Sequence, residues 1–248
     1  MILLLDIGNT RIKWARLEAG EMGRMDGRVH VDEQLKPAIH AAFEGPAPRR
    51  VVVCNVAGPL VGKALSDFCQ DRFDLKPEFL ISSPERGGVT NGYTDPVRLG
   101  ADRWAAIIGA WNKFGGPVCV VDAGTAITVD VVDAKGKHLG GLIAPGPQAM
   151  RRALADATAG LQDLGESQLA LLARDTRTAI SSGGWHTATG FLERVHGLVE
   201  ESFGAETKTN FILTGGDGPR LSAILPGKFT LCPELVLWGL AKIAVEKP

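Results

Sequence analysis

Apolar residues along this chain gather into short runs that end on Gly, Pro, Asn or Asp, and into longer stretches with helical spacing. The run ILLLD at 2–6 reads as a buried strand. Gly8-Asn9 makes a turn after it and Ile12–Glu18 follows as a second strand, a hairpin signal. A helix is expected from Asp32 to Phe43, with Asp32 as N-cap and Gly45-Pro46 as the stop. VVVCNV at 51–56 reads as a strand closed by Gly58-Pro59, residues 60–72 as a helix, and Glu78–Ser82 as another strand. A polar loop rich in Gly, Thr and Asn covers 83–96, and 97–114 reads as one long helix ended by Gly115-Gly116-Pro117.

After that stop the pattern begins again. VCVVDAGTAITVDVVD at 118–133 repeats the order strand, Asp-x-Gly turn, strand, so that Asp122 falls on Asp6 and Gly124 on Gly8, 116 residues later. HLGGLIAPG at 138–146 reads as a third strand leading into a helix from Gln148 to Ala159. Ser182–Phe203 reads as a long helix and Pro233–Val245 as an amphipathic closing helix. Between them, NFILTGGDG at 210–218 is a strand with a glycine turn, as VVVCNVAG is in the first half. The repeat, with its matched flanking strands and half-length offset, predicts duplicated α/β units: a first domain over 1–115 and a second over 116–248. A chance match of two short DxG turns is the alternative.

Composition narrows the function classes. The 27 Lys plus Arg nearly balance the 28 Asp plus Glu, which argues against a nucleic-acid partner held through bulk charge. Hydrophobic residues, 45% of the 248, are spread along the whole length, which argues against disorder. Cys54, Cys69, Cys119 and Cys232 form no CxxC pair, so neither a zinc nor a redox motif is present and a reducing compartment is expected. The run Met1–Leu5 stops at Asp6, and no run approaches the roughly 18 apolar residues that a spanning helix needs. The expectation is a soluble cytoplasmic protein with no membrane partner.

The chemistry centres on the two DxG turns. An Asp at the end of a buried strand projects its carboxylate beyond the strand, and the Gly, Asn and Thr that follow offer N–H groups and hydroxyls to an anion. Two such hairpins can hold a nucleotide's phosphates and Mg²⁺, an ion that prefers one or two carboxylates plus phosphate oxygens and water. Asp6 suits the metal or its water, and Gly8, Asn9 and Thr10 suit phosphate; Thr125 and Thr128 add hydroxyls beside the second turn. One such Asp alone caps a hairpin turn equally well; it is the pair that favours phosphate. TGGDG at 214–218 reads either as an adenine pocket, where a flat ring approaches bare backbone, or as a plain strand-to-helix turn. Gly58–Ala64 imitates a P-loop, but it has three residues between the glycines and Ala64 where Mg²⁺ wants Ser or Thr. The five histidines show no ligand spacing. In NGYTDPVRLGADRWAAIIGAW at 91–111, Asp102 and Arg103 fall early on a helix. Asp102 could accept the proton of a hydroxyl that attacks ATP, and Arg103 could pair with a substrate carboxylate. A surface Asp–Arg pair at a helix start has the same spacing.

Taken in order, these blocks resemble the type III pantothenate kinases. DIGNTRIKW resembles the family's first phosphate motif, YTDPVRLGADRWAA its pantothenate-binding motif and DAGTAITVD its second phosphate motif; GGLIAPG, DTRTAISSG, TGGDG and PELVLWGLA are similar to its later blocks. The resemblance implies duplicated ribonuclease H-like domains of the actin-like, sugar kinase and Hsp70 ATPase superfold. It implies ATP-dependent phosphorylation of pantothenate at its terminal hydroxyl, giving 4′-phosphopantothenate, the first step of coenzyme A biosynthesis. Asp6, Ile7, Gly8, Asn9, Thr10, Arg11, Ile12 and Lys13 would then line the ATP phosphates and Mg²⁺, and Thr125 would contact ATP. Tyr93, Gly100, Ala101, Asp102 and Arg103 would bind pantothenate, with Asp102 the proton acceptor. Thr176, close to Thr178, would also contact pantothenate, and Asp122 would bind K⁺ or NH₄⁺. The family is homodimeric. Two departures stand out: Arg11–Ala15 replaces a small Gly-containing segment after GNT, and Asp175 stands where Asn is usual. The rival readings are a nucleotide-binding regulatory protein without catalysis and another small-molecule kinase on the same superfold.

Overall fold

Strand β1 (Ile2–Ile7) is apolar because both of its faces are buried, and strands cover both of its edges: β2 (Arg11–Glu18) pairs with it antiparallel and β5 (Arg50–Asn55) parallel. The computed structural model describes residues 1–30, 34–158, 165–204 and 207–246. In the first sheet the order is β3 (Glu21–Met22), β2, β1, β5, β6 (Glu78–Phe79), with β4 (Asp26–Val29) also paired to β2. The second sheet runs β11 (His138–Pro145), β10 (Ala126–Val132), β9 (Val118–Ala123), β12 (Asn210–Thr214), β13 (Thr230–Leu231). The two orders match strand for strand. Each opening strand sits beside its hairpin partner and has a parallel neighbour that leads to a short parallel edge. The repeat in the sequence is therefore a repeat in topology.

The chain divides into two compact units: Met1–Gly116 with Val132–Gly140 and Glu234–Pro248, and Pro117–Val131 with Gly141–Pro233. In the first, Leu3, Leu5, Val51 and Val53 form a core with Ala38 and Ile39 of α1 (Leu35–Ala42) and Leu65 and Cys69 of α2 (Pro59–Phe73). In the second, Val121, Ile127 and Leu213 pack with Trp185 and Leu192 of α5 (Thr176–Phe203), alongside Leu221 of α6 (Gly218–Ile224). Helix α4 (Pro147–Ala157) packs against α5.

Helices α3 (Ala101–Phe114) and α7 (Leu235–Val245) meet backbone to backbone within the first unit. A Cβ on Gly109 would overlap the Leu235 carbonyl oxygen, and one on Gly239 the Ala105 carbonyl oxygen. Gly239→Ala should thus destabilise the protein by about 1–3 kcal/mol through overpacking. Gly190→Ala, where open space surrounds a residue inside α5, should stabilise it by about 0.5–1 kcal/mol. Thermal melts of the two variants check the opposite signs.

Several expectations need correction. The helix over 97–114 is split: Pro96–Arg98 make a 3₁₀ turn, Leu99 is extended and buried, and α3 begins only at Ala101 after Gly100. The strand over 78–82 keeps only Glu78–Phe79. Helix α5 starts at Thr176, six residues before Ser182, because Asp175 caps it. The loop over 83–96 holds a small pair, β7 (Glu85–Arg86) with β8 (Val89–Thr90). Helix α4 ends at Ala157, where Thr158 is extended, while Asp32 and Ala159 lie outside the described residues. Among the described residues no helix is long and apolar enough to cross a membrane.

Candidate active site

The β1–β2 turn is built around a buried pair. Ile7 and Ile12, directly opposite in register and at most 1% exposed, sink into the core. They anchor the turn, so their side chains are withdrawn from solvent and only their backbone can serve a ligand. Asp6, 8% exposed, lies opposite Lys13 in the same register. Gly8 N–H donates to the Arg11 carbonyl at 3.0 Å to close the turn, leaving Asn9, Thr10 and Arg11 exposed. His30, set aside in the sequence for want of metal spacing, is buried against this turn: its Nε2 lies 2.5 Å from the Gly8 carbonyl oxygen. The P-loop imitation is a helix start. Gly58, at φ +97°, precedes α2, and Lys63 pairs with Asp67 at 2.6 Å on the exposed helix face.

A second cluster forms at the start of α3. Asp102 Oδ1 accepts the Arg103 N–H at 2.8 Å. A Cβ on Gly100 would sit 2.7 Å from that same oxygen, so a side chain there would displace the carboxylate. Asp102 stands in the first turn of α3, where the helix dipole favours a negatively charged side chain. Arg103 is only 7% exposed and donates from Nη1 to the Tyr93 hydroxyl at 2.7 Å. Tyr93 is placed by Asn91, whose Oδ1 accepts the Tyr93 N–H and whose amide donates to the Ser83 and Pro96 carbonyls. Its ring stacks on buried His138, with centroids 5.9 Å apart and planes 16° apart. Tyr93, Gly100, Ala101, Asp102 and Arg103 thus form one cluster, with His138 a member that the sequence did not reveal.

In the second unit three motifs converge at the end of β9. Gly215 of TGGDG, at φ +90°, lies so close to Asp122 that a Cβ there would overlap the carboxylate and the Ala123 carbonyl. Asp217 N–H donates to the Ala123 carbonyl at 2.9 Å. Gly146 of GGLIAPG donates to the Thr125 carbonyl at 3.0 Å and has no room for a Cβ against Gly124. Gly216 has open space above it, as a stacked ring requires. Thr214 is directly opposite Asp122 in the parallel register and 1% exposed; its hydroxyl has no hydrogen-bond partner among the described residues. The Asp217 carboxyl is pushed above its usual range chiefly by burial and then by Glu166, against the pull of Arg220.

At the start of α5 the Asp175 side chain accepts the Thr178 N–H at 2.8 Å, and this bond holds its carboxyl below the usual range. The Thr178 hydroxyl is engaged by Ser167 Oγ at 2.9 Å, whereas Thr176 stands on the exposed first turn. Among the described residues no cluster of three or more His, Cys, Asp or Glu could hold a metal ion. Two open cavities lie elsewhere and hold none of the residues above. One of about 610 Å³ lies along α4 and α5, and one of about 700 Å³ beside Trp14, Glu21 and Asp26.

Comparison with known proteins adds three findings. The family model for type III pantothenate kinase matches residues 2–198. Type III pantothenate kinases from Nitrosococcus oceani and an Azoarcus species are 42% and 43% identical, covering 99% and 98% of this chain and 94% and 90% of theirs. The structure of a putative 2-dehydro-3-deoxygalactonokinase from Sinorhizobium meliloti superposes with a TM-score of 0.60 at 16% identity, over 98% of each chain. The fold is the duplicated ribonuclease H-like arrangement of the actin-like, sugar kinase and Hsp70 ATPase superfold.

Proposed function

This chain belongs to the type III pantothenate kinase family, and from that premise we propose how its residues divide the reaction. The activity is ATP-dependent phosphorylation of pantothenate to 4′-phosphopantothenate, the first step of coenzyme A biosynthesis. The pantothenate carboxylate pairs with the Arg103 guanidinium, with Tyr93, Gly100 and Ala101 around it, and Thr176 adds a hydroxyl. The substrate's terminal hydroxyl oxygen forms the new bond to the γ-phosphorus, its proton passes to the Asp102 carboxylate, and the bond from the γ-phosphorus to the β–γ bridging oxygen breaks to release ADP. The observation that carries this reading is the Asp102–Arg103 pair at the start of α3, its guanidinium buried and held by Tyr93. Thr176 is preferred to Thr178 because Ser167 already engages the latter.

ATP is assigned to Asp6 through Lys13, with the N–H groups of Asn9 and Thr10 on the phosphates, and to Thr125, with adenine at TGGDG. Mg²⁺ fits a site with one strand-end carboxylate, Asp6, whose remaining ligands come from phosphate and water. When bound it neutralises charge on the phosphates. A purified sample should form ADP with pantothenate present and almost none without it, or with other small hydroxy acids. No pantothenate-dependent ADP would overturn the reading and favour a nucleotide-binding regulator.

We assign a monovalent cation, K⁺ or NH₄⁺, to Asp122. The buried Thr214 hydroxyl opposite it, without a hydrogen-bond partner among the described residues, suits a second oxygen donor. Turnover should be low in Na⁺-only buffer and restored by K⁺, and the melting temperature should rise with K⁺ more than with Na⁺. Equal activity and equal melting in the two salts would sink this assignment.

We also propose a cytoplasmic homodimer, with the repeat boundary at 115/116 as the domain boundary. Leu171 and Leu172 are 85% and 87% exposed and Ile143 67%, apolar surface of the kind that a partner subunit covers. All four cysteines are buried and none forms a disulfide, as suits a reducing compartment. Light scattering should give twice the 26.3 kDa of one chain. A fully active monomer would rule the dimer out.

A further inference from the structure

We propose that His30 is a positioning residue for the ATP phosphates, which aims the Asn9 amide N–H at them. This rests on reading the β1–β2 turn as the phosphate site. A carbonyl oxygen only accepts, so the His30 Nε2 lying 2.5 Å from the Gly8 oxygen carries the proton and donates. The peptide between Gly8 and Asn9 is planar and trans, so its C=O and N–H point in opposite directions. His30 is 6% exposed and Asn9 is exposed. Drawing the Gly8 oxygen inward therefore turns the Asn9 N–H outward, away from the imidazole, to where an anion is met.

The same residue grips the turn a second time. The His30 backbone N–H donates to the Thr10 carbonyl at 3.0 Å, while Gly8 N–H donates to the Arg11 carbonyl at 3.0 Å. Asn9 is thus held from both sides by one buried residue distant in sequence. A turn that carries Gly8 is intrinsically mobile; bonds of this kind hold one peptide orientation ready before the ligand arrives, which is how fixed backbone donors gain their effect.

The test compares Mg²⁺ with adenosine 5′-(β,γ-imido)triphosphate against adenosine alone, by calorimetry on the full chain. His30→Phe keeps a ring but removes the donor. It should weaken the triphosphate analogue at least about tenfold, a fraction of the loss when a backbone-type donor is removed outright, and leave adenosine and pantothenate binding unchanged. His30→Gln, which restores an N–H, should recover most of the loss. Equal weakening of adenosine and the triphosphate would mark a merely structural role and overturn the proposal. Parent-like triphosphate binding by His30→Phe would do the same. Asp6→Asn separates the two levels. If it also binds the analogue as the parent does, the phosphate-site reading fails; if it binds weakly while the His30 variants do not, only the positioning role fails. Imidazole ¹⁵N NMR on the parent chain reads the contact even if His30→Phe does not fold. The Nε2–H tautomer is expected, with its proton shifted by the Mg²⁺ analogue and not by pantothenate. An Nδ1–H tautomer, or indifference to the nucleotide, would overturn it.

Discussion

Asp102→Asn should lower kcat at least about a hundredfold, the low end of what a lost general base costs, with ATP affinity little changed. A primary hydroxyl is a poor nucleophile at neutral pH, and a carboxylate within reach of its proton assists the attack on the γ-phosphorus. A loss of about 10²–10⁴ corresponds to roughly 3–5 kcal/mol of barrier. Asn can still accept the Arg103 N–H and lie against Gly100, so the helix start and the Arg103–Tyr93 clamp survive. The measurement is steady-state kinetics beside direct ATP binding. If the transition state of phosphoryl transfer is loose, the carboxylate serves more to align the hydroxyl than to remove its proton, and the loss falls at the small end. A variant within a few-fold of the parent would remove Asp102 from the mechanism. Collapse of ATP binding would instead move Asp102 into the nucleotide site.

Residues whose role follows from their immediate neighbours were legible in the sequence. Asp6 and Asp122 each end an apolar run before a glycine turn, and the matching strand orders of the two sheets bear out the repeat they announced. Gly100 and Gly215 could be seen as glycines but not explained. A Cβ on Gly100 would displace the Asp102 carboxylate, and one on Gly215, at φ +90°, would overlap the Ala123 carbonyl and the Asp122 carboxylate, a strand away. Strands of two residues such as β3 and β13 leave no periodic signal, since their pairing comes from the neighbouring strand. His30, His138 and Thr214 were missed for the same reason: each acts through a tertiary contact or a strand register with distant residues. Ile7 and Ile12 were assigned with the phosphate motif as a block, but strand alternation turns their side chains into the core. The departure at Asp175 also has a physical reading. The N-cap of α5 needs a side-chain oxygen, and Asp and Asn cap a helix about equally well.

The choice between a structural and a chemical Asp6 turns on one substitution. Asp6→Asn is nearly isosteric, and the strand ladders of β1 with β2 and β5 use backbone groups that the change leaves alone. The fold should therefore survive, and circular dichroism with a thermal melt checks that it does. What disappears is the negative charge at the strand end. If that charge holds Mg²⁺ and its water against the phosphates, its loss removes electrostatic stabilisation worth several kcal/mol, and turnover should fall at least about a hundredfold, equivalent to roughly 3 kcal/mol. More Mg²⁺ should recover only part of this, because a neutral amide oxygen is a poorer ligand for a hard cation than a carboxylate. A turn-capping Asp6 predicts the opposite balance: a lower melting temperature and near-normal turnover at saturating Mg²⁺-ATP. The two measurements together decide the matter, since a melt close to the parent's with turnover nearly abolished is reached only if the carboxylate acts on the phosphates and their metal.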